Sequence, residues 1–539
     1  MLKRELNPKD LLLAPNLNFK TVSAILSPVG IKDIKKGDMN LQLIADDPRS
    51  RHLLSEIIEE FLETLSRSPD PDQALNYFER FSRKALNKAN LLSYLKDSPH
   101  TVWLLAKVFG TSPFMSEVLI RYPHYLYWIA DNRTLEETKT KVNLRKEFSV
   151  ALKNLKNRDR KIEILCVLKH KELLRIGVRD LLMKASLEQT VFSLTILAEI
   201  IIEKIFNISE ETLKKKFGKP LLNKKGEIRK KAGFTVLAMG KLGGGELNFS
   251  SDLDLIFLHE SDQGKTSGAR PNFSKSKILN REYFKLLSQE IITGLSGMTP
   301  KGFLYRVDLR LRPEGRSGEI TTSLKGYRTY YNKRGETWEK LALLKAWPVA
   351  GNVNLGKRFL QMVSRFIYHP SFSFESLSEV KCVKEEIDHK MAERGQSHLH
   401  VKLGIGGIRE IEFVLQSLQI YFGKKYPEIH DRQTLRGLKK LFHHRLIPLE
   451  TYEILTKGYI FLRKVENSLQ MVNENQTHSL PDDQYEFMLA SLRLDYRDHS
   501  GISASDQFRR DYQTYTGKIR EIFQELFDSP ENSVFLKSK

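Results

Sequence analysis

Three aspartates have the spacing to do chemistry: Asp252 and Asp254 in SDLDLIF, and Asp308 in YRVDLRLR. Side chains of a β-strand alternate faces with a period of two. Asp252 and Asp254 therefore share one side, while Leu253, Leu255 and Phe257 share the other and can pack on a helix. Adjacent outward carboxylates repel, and a divalent metal offsets that. Mg2+ takes oxygen ligands, often one or two carboxylates plus substrate phosphates. In the second segment Arg306, Asp308, Arg310 and Arg312 share one face, opposite Tyr305, Val307, Leu309 and Leu311. If this strand pairs beside 252–258, Asp308 completes a three-carboxylate cluster. Its arginines then suit a polyphosphate. Two metals held this way activate an attacking oxygen and stabilise a leaving one, which is the chemistry of nucleotidyl transfer.

A glycine-rich turn, Gly240-Lys241-Leu242-Gly243-Gly244-Gly245, precedes the aspartates. Bare glycines let backbone N–H groups approach a phosphate. Ser250 and Ser251 add hydroxyls beside it. The turn is not a dinucleotide fingerprint, because Ala238 takes the first glycine position. GKTS at 264–267 is not a Walker A loop, because His259 stands where glycine is required. Each feature has an ordinary structural reading: a solvated strand end, an edge strand, a connecting turn. Their order is what points further. A glycine-rich turn, Ser-Asp-x-Asp on a strand and a third Asp on a later strand form the layout of polymerase-β-like nucleotidyltransferases.

The elements that must position these residues begin at Gly233. FTVLAM (234–239) and LDLIFLH (253–259) read as strands, residues 260 to 278 as a polar loop, and about Arg281 to Leu295 as a helix. FLYRVDLRLR (303–312) alternates strictly, and Pro313 stops it. Residues 1 to about 205 read as mostly helical. Leu53, Leu54, Ile57, Ile58, Phe61 and Leu62 recur at helical spacing, and a further helix is expected across Ser186 to Phe206. Ser98 and Pro99 mark a helix start, and Gly110 its end. Residues 208 to 232 are rich in lysine and weakly patterned, as in a linker or an exposed excursion. Beyond about Phe366 the chain reads as helical again. The expected fold class is α+β and predominantly helical. It has an N-terminal helical region (1–207), a nucleotidyltransferase domain of small mixed sheet with helices (208–365) and a C-terminal helical bundle (366–539). No internal repeat of 20–50 residues is evident.

Composition bounds the rest. A chain of 539 residues suggests about three domains. The two cysteines, Cys166 and Cys382, form no CxxC or Cys/His cluster, which favours a reducing compartment over a disulfide framework or zinc site. The first residues lack a signal-peptide core, and the most apolar run, Thr190 to Ile202, is interrupted by Glu199. It is shorter than the ~20 residues a membrane span needs, so a cytoplasmic protein is expected. The net charge of +21 suits anionic partners: nucleotides, nucleic acid or an acidic protein. The cations are spread through the chain without a basic tail, so it does not single out nucleic acid.

Several segments resemble one family. GKLGGGELNFSSDLDLIFLH (240–259) resembles the nucleotidyltransferase signature of glutamine synthetase adenylyltransferase/adenylyl-removing enzymes. YRVDLRLRPEGRSGEI (305–320) and TWEKLALLKAWPVAG (337–351) resemble its second block, and VKLGIGGIREIEF (401–413) its third. LAKVFGTSPFMSEVLIRYP (105–123) resembles its N-terminal helical region, and the resemblance runs from about residue 98 to 530. It implies that Asp252, Asp254 and Asp308 are metal ligands for Mg2+, as two ions, or for Mn2+. It implies nucleotide-phosphate contacts at Gly240, Lys241, Gly243, Gly244 and Ser251, with Arg306, Arg310, Arg312 and Lys345 as further candidates.

Members of the family usually carry two catalytic units. The N-terminal unit removes AMP from glutamine synthetase by phosphorolysis, and the C-terminal unit adds AMP from ATP. This sequence has one unit. GGGELNFSSD, GGIREIEF and FLRKVENSLQMVNENQTHSLP (461–481) look more like the removing half. The implied partners are glutamine synthetase, ATP/ADP or phosphate, a PII-type signalling protein and a separate chain carrying the other unit. Arg409, Glu410 and Glu412 read as a salt-bridged helix start, Trp338 and Glu339 as packing, and His443 and His444 as surface. His400 stands where Asp or Asn is expected before the third block. Addition of AMP, nucleotidyl transfer to RNA, and a non-catalytic nucleotide-binding regulatory module are the rival readings.

Overall fold

The computed structural model describes all residues except 1–6, 16, 223–229, 269–276, 370–371, 474–476, 529, 531–532, 534 and 537–539. Most described residues are helical, with one small mixed sheet. The chain forms two compact units, and each is assembled from separated stretches. The first comprises Met1–Thr138, His170–Ser186 and Asn467–Phe508; the second comprises Lys139–Lys169, Leu187–Glu466 and Arg509–Lys539.

The first unit is helical. In the helix Pro48–Ser66 the expected apolar positions Leu54, Ile57, Ile58, Phe61 and Leu62 are buried. Asp47 caps it by accepting N–H bonds from Arg49 and Ser50, and Pro48 takes the first turn, where no N–H is missed. Phe78 from the helix Pro71–Lys84 meets Phe61 and Phe109 edge to face, at 4.8 and 5.4 Å between centroids. The helix Pro99–Phe109 begins after Ser98 and ends at Gly110 as expected, although the Ser98 side chain makes no capping bond.

The second unit holds the sheet. Its strands are β1 (Phe234–Ala238), β2 (Leu253–His259), β3 (Val307–Asp308), β4 (Thr322–Ser323) and β5 (Trp347–Gly351). The order is β3-β2-β1-β5, with β4 also on β2. β1 runs antiparallel to β2 and β5, whereas β3 and β4 run parallel to β2. Both faces of β1 are covered, which is why it reads as apolar apart from Thr235. The helix Leu187–Phe217 packs against the helix Asn280–Ser296 and against β5. Phe234 stacks with Phe206, Phe257 and Phe284 at 6.1, 5.9 and 5.5 Å, joining those helices to β1 and β2.

Three sequence expectations are corrected here. The helix expected to end near Phe206 runs to Phe217, so 208–217 is not a linker. Ile208 and Leu213 are buried on it, and Glu210 pairs with Lys214 one turn on at 2.6 Å. Of the rest of the lysine-rich stretch, 223–229 lies outside the described residues. The glycine-rich turn is a one-turn helix, Gly240–Gly244, closed by Gly245 in the left-handed region. The strand expected over 303–312 pairs only at Val307 and Asp308. The Asp308 carboxylate accepts the N–H of Arg310 at 2.8 Å and turns the chain away. Arg312 then donates to the carbonyls of Leu309, Arg316 and Gly318, closing that loop on itself. No described helix is long and apolar enough to cross a membrane.

Candidate active site

The parallel register of β2 and β3 sets Asp254 opposite Asp308, and Leu253 opposite Val307. Registered residues on neighbouring parallel strands point the same way, about 4.8 Å apart. Asp252 lies two residues before Asp254, on the same face. The three aspartates predicted from sequence therefore meet at one end of β2.

Their surroundings differ. Asp252 accepts a bond from Arg306 Nε at 2.6 Å, and Arg306 also donates to the carbonyl and hydroxyl of Ser250 at 2.8 and 3.2 Å. Asp308 accepts from Arg310 through its backbone N–H and its guanidinium, at 2.8 and 2.7 Å. Burial raises the Asp308 carboxyl, but the Arg310 bonds outweigh it and hold the group below its ordinary value. The Asp254 carboxylate has no hydrogen-bond partner among the described residues. Burial pushes it up to about 6; Lys402 and Arg409 oppose the shift, and Asp308 and Asp252 add to it.

Glycine at 240 and 243 answers to packing. Gly240 has φ +52°, and a β-carbon there would stand 2.3 Å from Asp254 Oδ2. A β-carbon at Gly243 would stand 2.0 Å from the Lys345 carbonyl. The one-turn helix is thus pressed between the aspartate and the chain entering β5. Gly244 belongs to the same turn and is buried. The Ser251 hydroxyl accepts the N–H of Asn248 at 3.3 Å.

The two predicted lysines point into carboxylates. Lys241 Nζ bonds Glu466 at 2.5 Å, and burial pushes its pKa down to about 7 against the pull of Glu466. Lys345 Nζ bonds Glu412 at 2.6 Å and Glu246 at 3.2 Å. Burial lowers the Lys345 ammonium, but Glu246 and Glu412 hold it above its ordinary value. Arg409 also reaches Glu412 at 3.2 Å. Arg463 donates to the Glu246 carbonyl at 2.6 Å and to Asn248, and Asn248 donates to Glu466 at 2.6 Å. Arg312 is spent on its own loop. Of the candidate cations, Arg306 and Arg310 are the two that sit on the aspartates.

Sequence reading missed Glu246, Arg463 and Glu466, which fix the glycine helix from behind. The signal was available. Arg463 and Glu466 are one helical turn apart on a buried face of the helix Leu449–Asn473 that also carries Leu455, Tyr459 and Leu462, and charges on a buried face must be paired.

The donor chemistry fits a hard cation. Carboxylate oxygens are what Mg2+ takes, and Asp254 presents one without a partner beside two others. Among the described residues no three acidic, histidine or cysteine side chains are drawn into one cage, and arginines hold Asp252 and Asp308.

With that geometry in place, sequence comparison is decisive. Residues 102–362 match the family "Glutamate-ammonia ligase adenylyltransferase". The chain belongs to this family. Residues 380–527 match a second, "GlnD PII-uridylyltransferase". Similar proteins are the bifunctional glutamine synthetase adenylyltransferase/adenylyl-removing enzymes of Nitrosococcus oceani, Psychromonas ingrahamii and Pseudomonas aeruginosa. The first is 32% identical over 85% of this chain and 45% of its own length. The second is 35% identical over 78% and 42%, and the third 34% over 79% and 42%. The matched stretch thus spans less than half the length of these relatives. The adenylyltransferase match contains all three aspartates, the glycine helix and β5.

Proposed function

We propose that this chain is a nucleotidyl-transfer enzyme acting on glutamine synthetase, and that it removes AMP from an adenylyl-tyrosine by phosphorolysis. The observation that carries this reading is the register of Asp254 on Asp308, with Asp252 beside them, within the stretch that matches the adenylyltransferase family. The relatives bear both activities in their name, and the match covers less than half of their length, which is consistent with one unit here.

In this reading an oxygen of inorganic phosphate attacks the AMP phosphorus in line with the tyrosine oxygen. The bond from phosphorus to that oxygen breaks, the tyrosine takes up the proton that phosphate loses, and ADP is the product. Such a transfer needs alignment and charge neutralisation rather than a covalent intermediate. Asp252, Asp254 and Asp308 would hold Mg2+, as two ions, or Mn2+, which supplies a positive charge at the transferred phosphoryl group. Arg306 and Arg310 offer planar guanidinium forks to phosphate oxygens. Gly240 stands against Asp254, and Ser251, Gly243 and Gly244 are the further phosphate contacts of this reading. Lys241, Lys345 and Arg312 serve the frame instead. The match of residues 380–527 to a PII-modifying family supports control by a PII-type protein.

Mass spectrometry of glutamine synthetase tests this directly. Adenylylated substrate with phosphate and Mg2+ should lose AMP and release ADP. Gain of AMP by unmodified substrate with ATP would reverse the direction, and no change in either tube would remove the enzymatic reading.

A further inference from the structure

Around the Asp254 carboxylate the charges are paired with one exception. Lys241 is bonded to Glu466, and Arg409 and Lys345 share Glu412. Lys402 lies within electrostatic reach of Arg409, Glu466, Glu412, Asp254 and Lys241. Its ammonium nevertheless has no hydrogen-bond or ion-pair partner among the described residues.

The backbone fixes where this lysine stands. Its carbonyl accepts the N–H of Arg409 at 2.9 Å, and the Val401 carbonyl accepts that of Ile408 at 3.1 Å. The segment is therefore folded back onto the start of the helix Ile408–Gly423, whose charged residues are already engaged. Burial lowers the Lys402 pKa, and Arg409 adds to the effect, so holding a cation there is costly. Lys402 is half-buried, and a partly desolvated ammonium without a protein partner is stabilised by an anion that reaches it.

We infer that the Lys402 ammonium contacts the phosphate oxygens of the nucleotide bound against Asp252, Asp254 and Asp308. The inference rests on the proposed nucleotidyl-transfer function and adds a substrate contact from outside the sheet. The charge pattern supports it. Asp254 and Lys402 are the carboxylate and the ammonium of this cluster left without hydrogen-bond partners, and a phosphate placed between a metal-binding carboxylate and an ammonium satisfies both.

The test compares wild type with K402M and K402R. Calorimetry reads ADP affinity in Mg2+ and again in EDTA, and thermal unfolding is measured without nucleotide. K402M should weaken ADP binding about ten- to a hundred-fold in Mg2+, the loss of one charge-assisted contact. Its melting temperature should hold or rise, because an unpaired, half-buried charge is gone. K402R should keep part of the affinity, and the EDTA titration should show the same ranking. Unchanged ADP affinity in K402M would overturn the assignment. So would a fall in melting temperature with K402R equally impaired, which would make Lys402 a structural counter-ion of Asp254. Wild type that binds no ADP would instead bring down the nucleotidyl-transfer reading as well.

Discussion

Gly240 and Asp254 touch: a β-carbon on residue 240 would stand 2.3 Å from the aspartate's Oδ2. The candidate catalytic carboxylate is thus positioned by the absence of a side chain. G240A should push Asp254 out of register with Asp308. It should also carry the left-handed strain of φ +52°, about 1–2 kcal/mol. A displacement of that size predicts roughly a hundred-fold fall in turnover with the fold retained. Deadenylylation rates and circular dichroism on the same preparation would check it. Normal turnover in G240A would mean that Asp254 does not need this position.

The three aspartates should respond differently to amidation. Each of D252N, D254N and D308N should lose at least about a hundred-fold in activity. Stability should split them. Asp254 is held at about 6 by burial, so D254N should gain on the order of 1–3 kcal/mol at pH 7. Asp252 and Asp308 anchor Arg306 and Arg310 at partly exposed sites, so D252N and D308N should lose no more than about 1 kcal/mol. Chemical denaturation of the three variants would reveal the opposite signs.

Local pattern explains what was legible in the sequence. β2 is seven residues of alternating and then continuous apolar character, and it falls where the pattern put it. The helix Asn280–Ser296 likewise follows its spacing. The strand over 303–312 failed because alternation cannot report a side chain that bonds its own backbone, as Asp308 does with the N–H of Arg310. Composition hid the end of the helix Leu187–Phe217, since lysines read as solvated whether they lie on a helix or a linker. The family resemblance offers Lys241 and Lys345 as candidate phosphate contacts. Their partners Glu466 and Glu412 lie 225 and 67 residues away, which no local pattern encodes.

Acid should loosen the frame behind the site through Glu412. Burial raises its pKa, but Lys345 and Arg409 hold it well below the ordinary 4.5. The unfolded chain therefore binds a proton at higher pH than the folded one. The contribution to stability is complete above about 4.5 and is lost progressively as pH falls below it. Unfolding free energy should drop from pH 6 to pH 3.5 in wild type. E412Q should start lower at pH 6 and show a shallower drop. Equal slopes would show that Glu412 does not govern acid sensitivity.

Lys241 gives the sharpest contrast between a phosphate ligand and a structural cation. It sits inside the glycine helix, where a phosphate-binding lysine would be sought, yet its ammonium is 2.5 Å from the fully buried Glu466. Glu466 also accepts from Asn248, which in turn meets Arg463, so the pair belongs to a buried network. Removing one partner leaves a buried carboxylate short of its cation. K241M should therefore cost about 3 kcal/mol. Part of that should return in K241M/E466Q, where no such charge remains, giving a measurable coupling energy. Among molecules that stay folded, the Michaelis constant for phosphate should change less than about three-fold, since the ammonium is held by Glu466. A large rise in that constant with unchanged stability would put Lys241 back at the substrate, and would mean that the bond to Glu466 opens when nucleotide binds.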